Sequence, residues 1–188
     1  MMLPDTRQAL IQSAEFMIRS RGYSAFSYAD LEKMVGIRKA SIHHHFPKKE
    51  DLGMIIVESN IIKSENDLQK IESQFSSAYV RLCAFASIFR VAMQDGMLPL
   101  CGALAAEMTS LPSTMQNLTR QYFHLQLVWL EKIINEGISD GEIPDSGETC
   151  QKSFQILSLL EGSSFIRWAL NNAPELDNNS IKRIIGIP

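Results

Sequence analysis

Three consecutive histidines, His43, His44 and His45, make up all but one of the chain's four, and Arg38, Lys39, Lys48 and Lys49 flank them. Imidazoles in a row raise three possibilities: a metal site, proton transfer, or hydrogen bonding to an anionic partner. Successive helical residues diverge by about 100°, so the three rings cannot converge on one ion, and no Cys or carboxylate stands at a ligand spacing beside them. No metal and no other cofactor is expected. Neither a Ser/His/Asp set, nor a phosphate loop, nor a paired-carboxylate constellation appears, and His124 stands alone, so no enzymatic activity is expected. The four flanking cations favour the third possibility, against the plainer reading of a solvated polar face.

The elements around this run would have to present it. Ser27 and Asp30 have capping-box spacing, and Phe26 and Leu31 can form the accompanying hydrophobic staple, which starts a helix at about Tyr28. Leu31, Met34 and Val35 lie on one side of it, and Gly36 supplies the left-handed residue that stops it. The chain re-enters a helix near Arg38 or Lys39 and must leave it at Phe46, because Pro47 restricts the preceding residue and cannot continue the ladder. Two short helices thus flank a tight turn containing Gly, a helix-turn-helix arrangement.

With Ile42 pointing into a core, His45 and Phe46 fall within about 60° of it, whereas Ala40, Ser41, His43 and His44 point away and Lys39 sits on the border. The outward face is small, polar and imidazole-bearing, as a DNA major groove requires. Ser and His can bond base edges or phosphates, Ala leaves room for a thymine methyl, and Arg38, Lys39, Lys48 and Lys49 would neutralise phosphates. Ser27, Arg38, Lys39, Ala40, Ser41, His43, His44, Lys48 and Lys49 are therefore the candidate DNA-binding residues. His45 reads as a packed structural residue.

The run from Leu10 to Leu52 resembles the DNA-binding domain of the tetracycline-repressor (TetR) family. The likeness rests on an apolar first helix, Gly22-Tyr23, Ser27, Asp30-Leu31, Val35-Gly36-Ile37, Ser41-Ile42, His45-Phe46 and Lys49-Glu50-Asp51-Leu52. The resemblance implies that the residues at Lys39, Ser41 and His44 approach bases while those at His43 and Lys49 hold phosphates. Three departures stand out. Arg38 replaces a usual Ser cap, which forgoes about 1 kcal/mol of capping and adds a cation. His43 replaces a usual Tyr, and Lys48 a usual small polar residue.

Composition agrees with a localised interface. The 188 residues are 45% hydrophobic and 21% charged, enough for a substantial core. Residues 1–53 hold eight Lys/Arg against six Asp/Glu, net +2, and residues 54–188 hold ten against fifteen, net −5. The basic end is the nucleic-acid end, and an overall pI of 5.8 argues against a general nucleic-acid coat. No apolar run reaches membrane-spanning length and the start lacks the blocks of a signal peptide, so no membrane association and a cytoplasmic location are expected. Cys83, Cys101 and Cys150 are odd in number and have no CxxC spacing, so no disulfide framework follows.

Along the chain, Asp5 and Gln8 stand at capping-box spacing ahead of Leu10, Ala14, Met17 and Ile18, predicting a first helix that ends at Gly22. A long helix after Pro47 runs through Ile55, Ile56, Ile61 and Ile62 toward Ile71, as a rod leading away from DNA. Further helices are expected over 73–93, 100–108, from Leu111-Pro112 to about Ile138, over 148–172 and over 178–185, with 139–147 the clearest break. The fold class is all-α, about nine helices: a three-helix helix-turn-helix domain at 1–47 and a helical effector-binding and dimerisation bundle at 48–188.

In the resembled family the larger part binds an effector and forms a two-fold dimer through its last two long helices. Ser158, Gly162, Phe165 and Ala169 here form a seam of helical spacing whose small residues permit close approach, either between two copies or within one chain. Candidate effector-pocket residues are Phe85, Phe89, Met93, Cys101, Leu104, Glu107, Met108, Tyr122, Phe123, Gln126, Trp129, Phe165 and Trp168. Many of them would serve equally as plain core. Together they suit a greasy or flat ligand. Glu107 reads either as a pocket anion or as a partner of Arg120. Cys101, near a helix start, reads either as a reactive thiol or as a small buried residue.

The sequence thus predicts a homodimeric transcriptional regulator that binds a double-stranded DNA operator and responds to a small-molecule effector, most simply as a repressor. The rival reading is a helical ligand-binding or adaptor protein that has lost DNA binding.

Overall fold

A computed structural model describes residues 6–92, 96–170 and 173–188. Among them are nine α-helices and no strand: α1 (Thr6–Arg21), α2 (Tyr28–Val35), α3 (Lys39–His45), α4 (Lys49–Gln74), α5 (Ala78–Ala92), α6 (Leu100–Ala106), α7 (Ser113–Ser139), α8 (Thr149–Ala169) and α9 (Asn179–Ile185). A 3-10 turn, Met108–Ser110, separates α6 from α7. Two compact units result, a head of Met1–Ile62 with Leu100–Gln121, and a second unit of Lys63–Pro99 with Tyr122–Pro188.

The head core follows from apolar periodicity. Leu10, Ala14 and Ile18 of α1, Leu31 of α2, Ile42 of α3 and Leu52 of α4 are wholly buried, and Leu104 and Met115 join them at full burial. That packing is why the unit containing residues 1–47 also takes in Leu100–Gln121: α1 packs on α2 and on α6. A Cβ on Gly53 of α4 would lie 2.6 Å from the Met115 sulfur, so glycine here lets the Met115 side chain pack close against the helix. The cap expected at Asp5 lies outside the described residues. The stop at Gly22 does not, and its φ of 93° needs glycine.

The second unit is built on α5, α8, α9 and the later parts of α4 and α7. Leu82, Phe85, Leu130, Ile133, Ile134, Ile156, Leu160 and Ile185 are among its buried core. Helix α5 begins at Ala78, five residues later than the apolar spacing suggests, because Ser73 still belongs to α4. Its start is set from a distance: the Glu142 carboxylate accepts the Ser77 hydroxyl, Ala78 N–H (2.7 Å) and Tyr79 N–H (3.0 Å). Burial pushes the Glu142 carboxyl up, but these hydrogen bonds together with the Arg81 charge outweigh it and hold it below its ordinary value. Helix α8 ends at Ala169, not 172; Leu170 is already extended, and Asn172 lies outside the described residues.

Candidate functional site

Each boundary of α3 is held by a specific contact. The Ser27 N–H (2.8 Å) and hydroxyl (2.6 Å) both donate to Asp30 Oδ2, starting α2 and holding the Asp30 carboxyl below its usual range. Gly36 closes α2 in the left-handed region at φ 76°, its N–H donating to the Glu32 carbonyl. Arg38 then takes the N-cap position of α3 in extended conformation without a side-chain cap bond. The missing cap is supplied from the other helix, because Lys39 N–H donates to Glu32 Oε1 at 3.2 Å. At the far end Phe46 is buried with its backbone extended, the Arg7 guanidinium lies 5.3 Å from its ring centre, and Tyr28 Oη donates to its carbonyl at 2.8 Å. Lys48 N–H donates to Asp51 Oδ2 at 2.9 Å and starts α4.

This frame leaves one face of α3 open. Ile42 is fully buried, His45 half-buried, and Arg38, Lys39, Ala40, Ser41, His43, His44 and Lys48 are exposed. His43 is partly tied down: its ring meets the Tyr28 ring edge-on with centres 4.9 Å apart, and Nδ1 lies 3.2 Å from the Pro47 carbonyl. With Nδ1 so engaged, Nε2 is the nitrogen left to meet a partner. Burial, with the Asp51 charge adding to it, pushes the Tyr28 phenol up to about 12, so it remains a donor. Ser27 is exposed, but its hydroxyl proton is committed to Asp30.

Lys49 departs from expectation. Its Nζ donates to the Tyr23 and Phe26 carbonyls, each at 2.6 Å, and lies 4.4 and 4.3 Å from the centres of the same residues' rings. Burial lowers its pKa, with Glu107 and Asp30 opposing. An ammonium spent on two carbonyls and two ring faces is a brace for the α1–α2 connection, not a cation free for phosphate. Phe26 is legible in the sequence as a staple residue, but the inward turn of Lys49 depends on two carbonyls that the fold brings to it.

The expected pocket residues do not form one set. Cys101, Leu104, Glu107 and Met108 belong to the head, whereas Phe85, Phe89, Tyr122, Phe123, Gln126, Trp129, Phe165 and Trp168 belong to the second unit, and Met93 lies outside the described residues. Cys101 is fully buried with Sγ 3.8 Å from Asn60 Oδ1, the arrangement of a small packed residue. Glu107 is neither a pocket anion nor a partner of Arg120. Its Oε2 accepts Ser24 N–H at 2.9 Å, and a Cβ on Gly22 would collide with its other oxygen, while Arg120 bonds Asn117 and Gln116.

In the second unit, Phe85 contacts Phe89 and Trp129 with ring centres 5.5 and 5.4 Å apart. Gln126 is buried with its amide oxygen unbonded, Phe165 is half-buried, and Trp168 is exposed near the end of α8. A partly open cleft among Ala86, Phe89, Leu160 and Ser164 has about 10 Å³ of room, enough for about one water. Ser158, Gly162 and Ala169 are exposed, and a Cβ on Gly162 would meet nothing within 4 Å. Among the described residues, nothing packs closely on Gly162 of the seam.

A helix-turn-helix with a capped, outward-facing second helix defines a DNA-binding regulator, and comparison with known proteins agrees. Residues 10–52 match the family of bacterial regulatory proteins described as the tetR family. A TetR-family transcriptional regulator from Agrobacterium tumefaciens superposes with TM-score 0.84 at 28% identity, covering 96% of this chain and 94% of the other. A TetR transcriptional regulator from Legionella pneumophila gives TM-score 0.80 at 28% identity over 99% and 96%. The fold is shared also with the regulatory protein TetR from Rhodobacter sphaeroides, at TM-score 0.83, 21% identity and coverages of 96% and 97%. No curated protein sequence matches this chain. Residues 10–52 therefore match a tetR-family DNA-binding domain, and the chain as a whole has the fold of TetR-family transcriptional regulators.

Proposed function

We propose that this regulator is a homodimeric repressor that holds a palindromic operator and is released from it by a small-molecule effector. In this reading residues 1–47 read DNA and 48–188 bind effector and pair two copies. The observation that carries it is the open face of α3, where Ala40, Ser41, His43 and His44 stand exposed beside Arg38, Lys39 and Lys48, over a helix anchored by Ile42 and Phe46. Lys39, Ser41 and His44 face bases; Arg38, Lys48 and His43 Nε2 meet phosphates. Lys49 acts indirectly, by bracing the connection between α1 and α2.

Pairing through α8 is supported by the open seam at Gly162 and by exposed Phe154, Ile166 and Trp168 on the same helix. A two-fold dimer would set its two α3 helices in successive major grooves roughly 34–36 Å apart. An effector that prefers a different separation shifts the population away from DNA by its differential affinity for the two arrangements.

A gel-shift titration on the chain's own upstream region, with an Arg38→Ala/Lys48→Ala pair, tests the head. Wild type should give a salt-sensitive shift absent on scrambled duplex, and the pair should weaken it by roughly tenfold or more. Undiminished binding by the pair refutes the contact assignment.

A further inference from the structure

We propose that DNA binding takes up a proton at His43 of each subunit, because only the imidazolium can hold a backbone phosphate and the Pro47 carbonyl together. The inference rests on the reading of α3 as the DNA-facing helix, and it makes DNA affinity depend on pH.

The Pro47 carbonyl oxygen lies 3.2 Å from His43 Nδ1. A carbonyl oxygen only accepts, so the hydrogen of a neutral ring sits on Nδ1, and Nε2 carries a lone pair. The opposite tautomer would set the Nδ1 lone pair against that oxygen, two acceptors at hydrogen-bond distance. Packing holds the ring in this orientation. Tyr28 meets it edge-on with ring centres 4.9 Å apart, and Tyr28 is itself fixed by donating to the Phe46 carbonyl at 2.8 Å.

A phosphate oxygen also only accepts. Neutral His43, exposed on the open face of α3, would therefore meet it lone pair against oxygen at Nε2. One hydrogen can serve the Pro47 carbonyl or the phosphate, not both. A proton from solvent on the Nε2 lone pair gives each nitrogen a hydrogen and makes the phosphate contact charge-assisted. In the free protein water can donate to Nε2, so the neutral ring loses nothing there. Protonation and DNA binding consequently favour each other.

The charged and titratable groups around the ring come from four elements. On α3, Lys39 stands one turn before His43 and His44 beside it. From α2 comes Tyr28, whose phenol is pushed up to about 12 by burial and then by Asp51, so it stays neutral. At the start of α4, Asp51 accepts Lys48 N–H at 2.9 Å, while Lys49 turns away onto the Tyr23 and Phe26 carbonyls. From α1, Arg7 lies over the Phe46 ring. Imidazole is the side chain whose ordinary ionisation falls between about pH 5 and 8. Among the described residues His44 has no hydrogen bond to fix its tautomer, so it can offer an N–H while neutral.

The test is affinity for a duplex selected from a random pool, from about pH 6 to 8.5 at fixed ionic strength. Wild type is compared with His43→Gln, His43→Lys and His44→Gln. Wild-type affinity should fall by roughly tenfold or more per engaged subunit across that range, and its salt slope should steepen on acidification by up to about 0.9 per subunit. Calorimetry in buffers of different ionisation enthalpy should show proton uptake. Gln and Lys carry N–H donors throughout, so both His43 variants should show a flat pH profile, no uptake and one salt slope. His44→Gln should keep the wild-type pH slope whatever its affinity. Glu161, with its carboxyl raised to about 7, also titrates in this range, but it lies in the second unit and is common to all four chains. Imidazole nitrogen spectra of the free wild type at about pH 8 should show His43 with its hydrogen on Nδ1. Salt-sensitive binding without a pH slope, a slope that survives both His43 variants, a slope lost in His44→Gln, or a free ring with its hydrogen on Nε2 each overturns the proposal and leaves α3 as the DNA-facing helix. No salt-sensitive binding at any pH overturns that reading, and the proposal with it.

Discussion

Replacing Lys49 by Met keeps the aliphatic stem and removes the ammonium, which separates a structural role from a phosphate contact. The ammonium donates to the Tyr23 and Phe26 carbonyls and lies over both rings. A charge-assisted hydrogen bond contributes roughly 1.5–3 kcal/mol when desolvated, but water can reach much of this side chain, so about 1 kcal/mol for each is appropriate. Two partly exposed cation–π contacts add roughly 0.5 kcal/mol apiece. Lys49→Met should therefore destabilise the head by about 2–3 kcal/mol and lower Tm by roughly 5–10 °C for a chain of this size. The matching assay is DNA affinity against salt at a temperature where the variant is folded. If Lys49 does not touch phosphate, the slope of log K against log salt should stay at the wild-type value. Lys48→Ala, by contrast, should reduce its magnitude by about 0.9 for each phosphate lost from each subunit. Unchanged Tm for Lys49→Met together with a reduced salt slope would refute the reasoning.

Further predictions concern the second unit. Glu142→Ala removes the acceptor for three groups at the start of α5 and should cost about 1–2 kcal/mol by thermal melt; an unchanged Tm contradicts the cap. Because the folded Glu142 carboxyl is held below its ordinary value, its contribution is present above 4.5 and lost as pH falls through the folded value. Glu161 has the opposite sign. Raised from 4.5 to about 7, it favours folding fully below 4.5 and loses that contribution as pH rises through about 7. Glu161→Gln should remove this decline and stabilise the ligand-free chain at pH 8 by up to about 3 kcal/mol; an identical pH profile in both chains sinks the burial argument. Gly162→Arg, at a position with open space around it, should leave circular dichroism unchanged and convert a dimer to monomer by light scattering. A dimer that persists removes α8 as the pairing helix.

Much of the head was legible because its determinants are local. Ser27 and Asp30 lie three residues apart, Gly36 and Pro47 act on their own neighbours, and the 3.6-residue period separates Ile42 and Phe46 from Ala40, Ser41 and His44. What escaped the sequence depends on residues far apart in the chain. Glu142 caps α5 across more than 60 residues, so the apolar period carried the expected helix start back into α4. Glu32 caps α3 from the neighbouring helix, compensating the lack of a capping side chain at Arg38. Glu107 was weighed against the nearest plausible cation, Arg120, whereas its partner is a backbone N–H at Ser24. Lys49 was placed by its charge, yet two carbonyls and two rings turn it inward. The apolar list proposed for a pocket mixed residues of two units, since composition does not distinguish a core from a cavity. Gln126 stood in that list among the aromatics, and Glu161 was not singled out, since nothing in its neighbours' identities signals the burial that raises its carboxyl.

The central claim is that the open face of α3 reads DNA sequence. The most direct measurement selects high-affinity duplexes from a random pool with the wild-type protein, then determines affinities for the selected and scrambled duplexes with Lys39→Ala/Ser41→Ala/His44→Ala. The account predicts a selected palindrome, and a triple variant that keeps wild-type Tm while its preference over scrambled duplex collapses by roughly a hundredfold or more. A triple variant that still prefers the selected duplex by the wild-type ratio would contradict it.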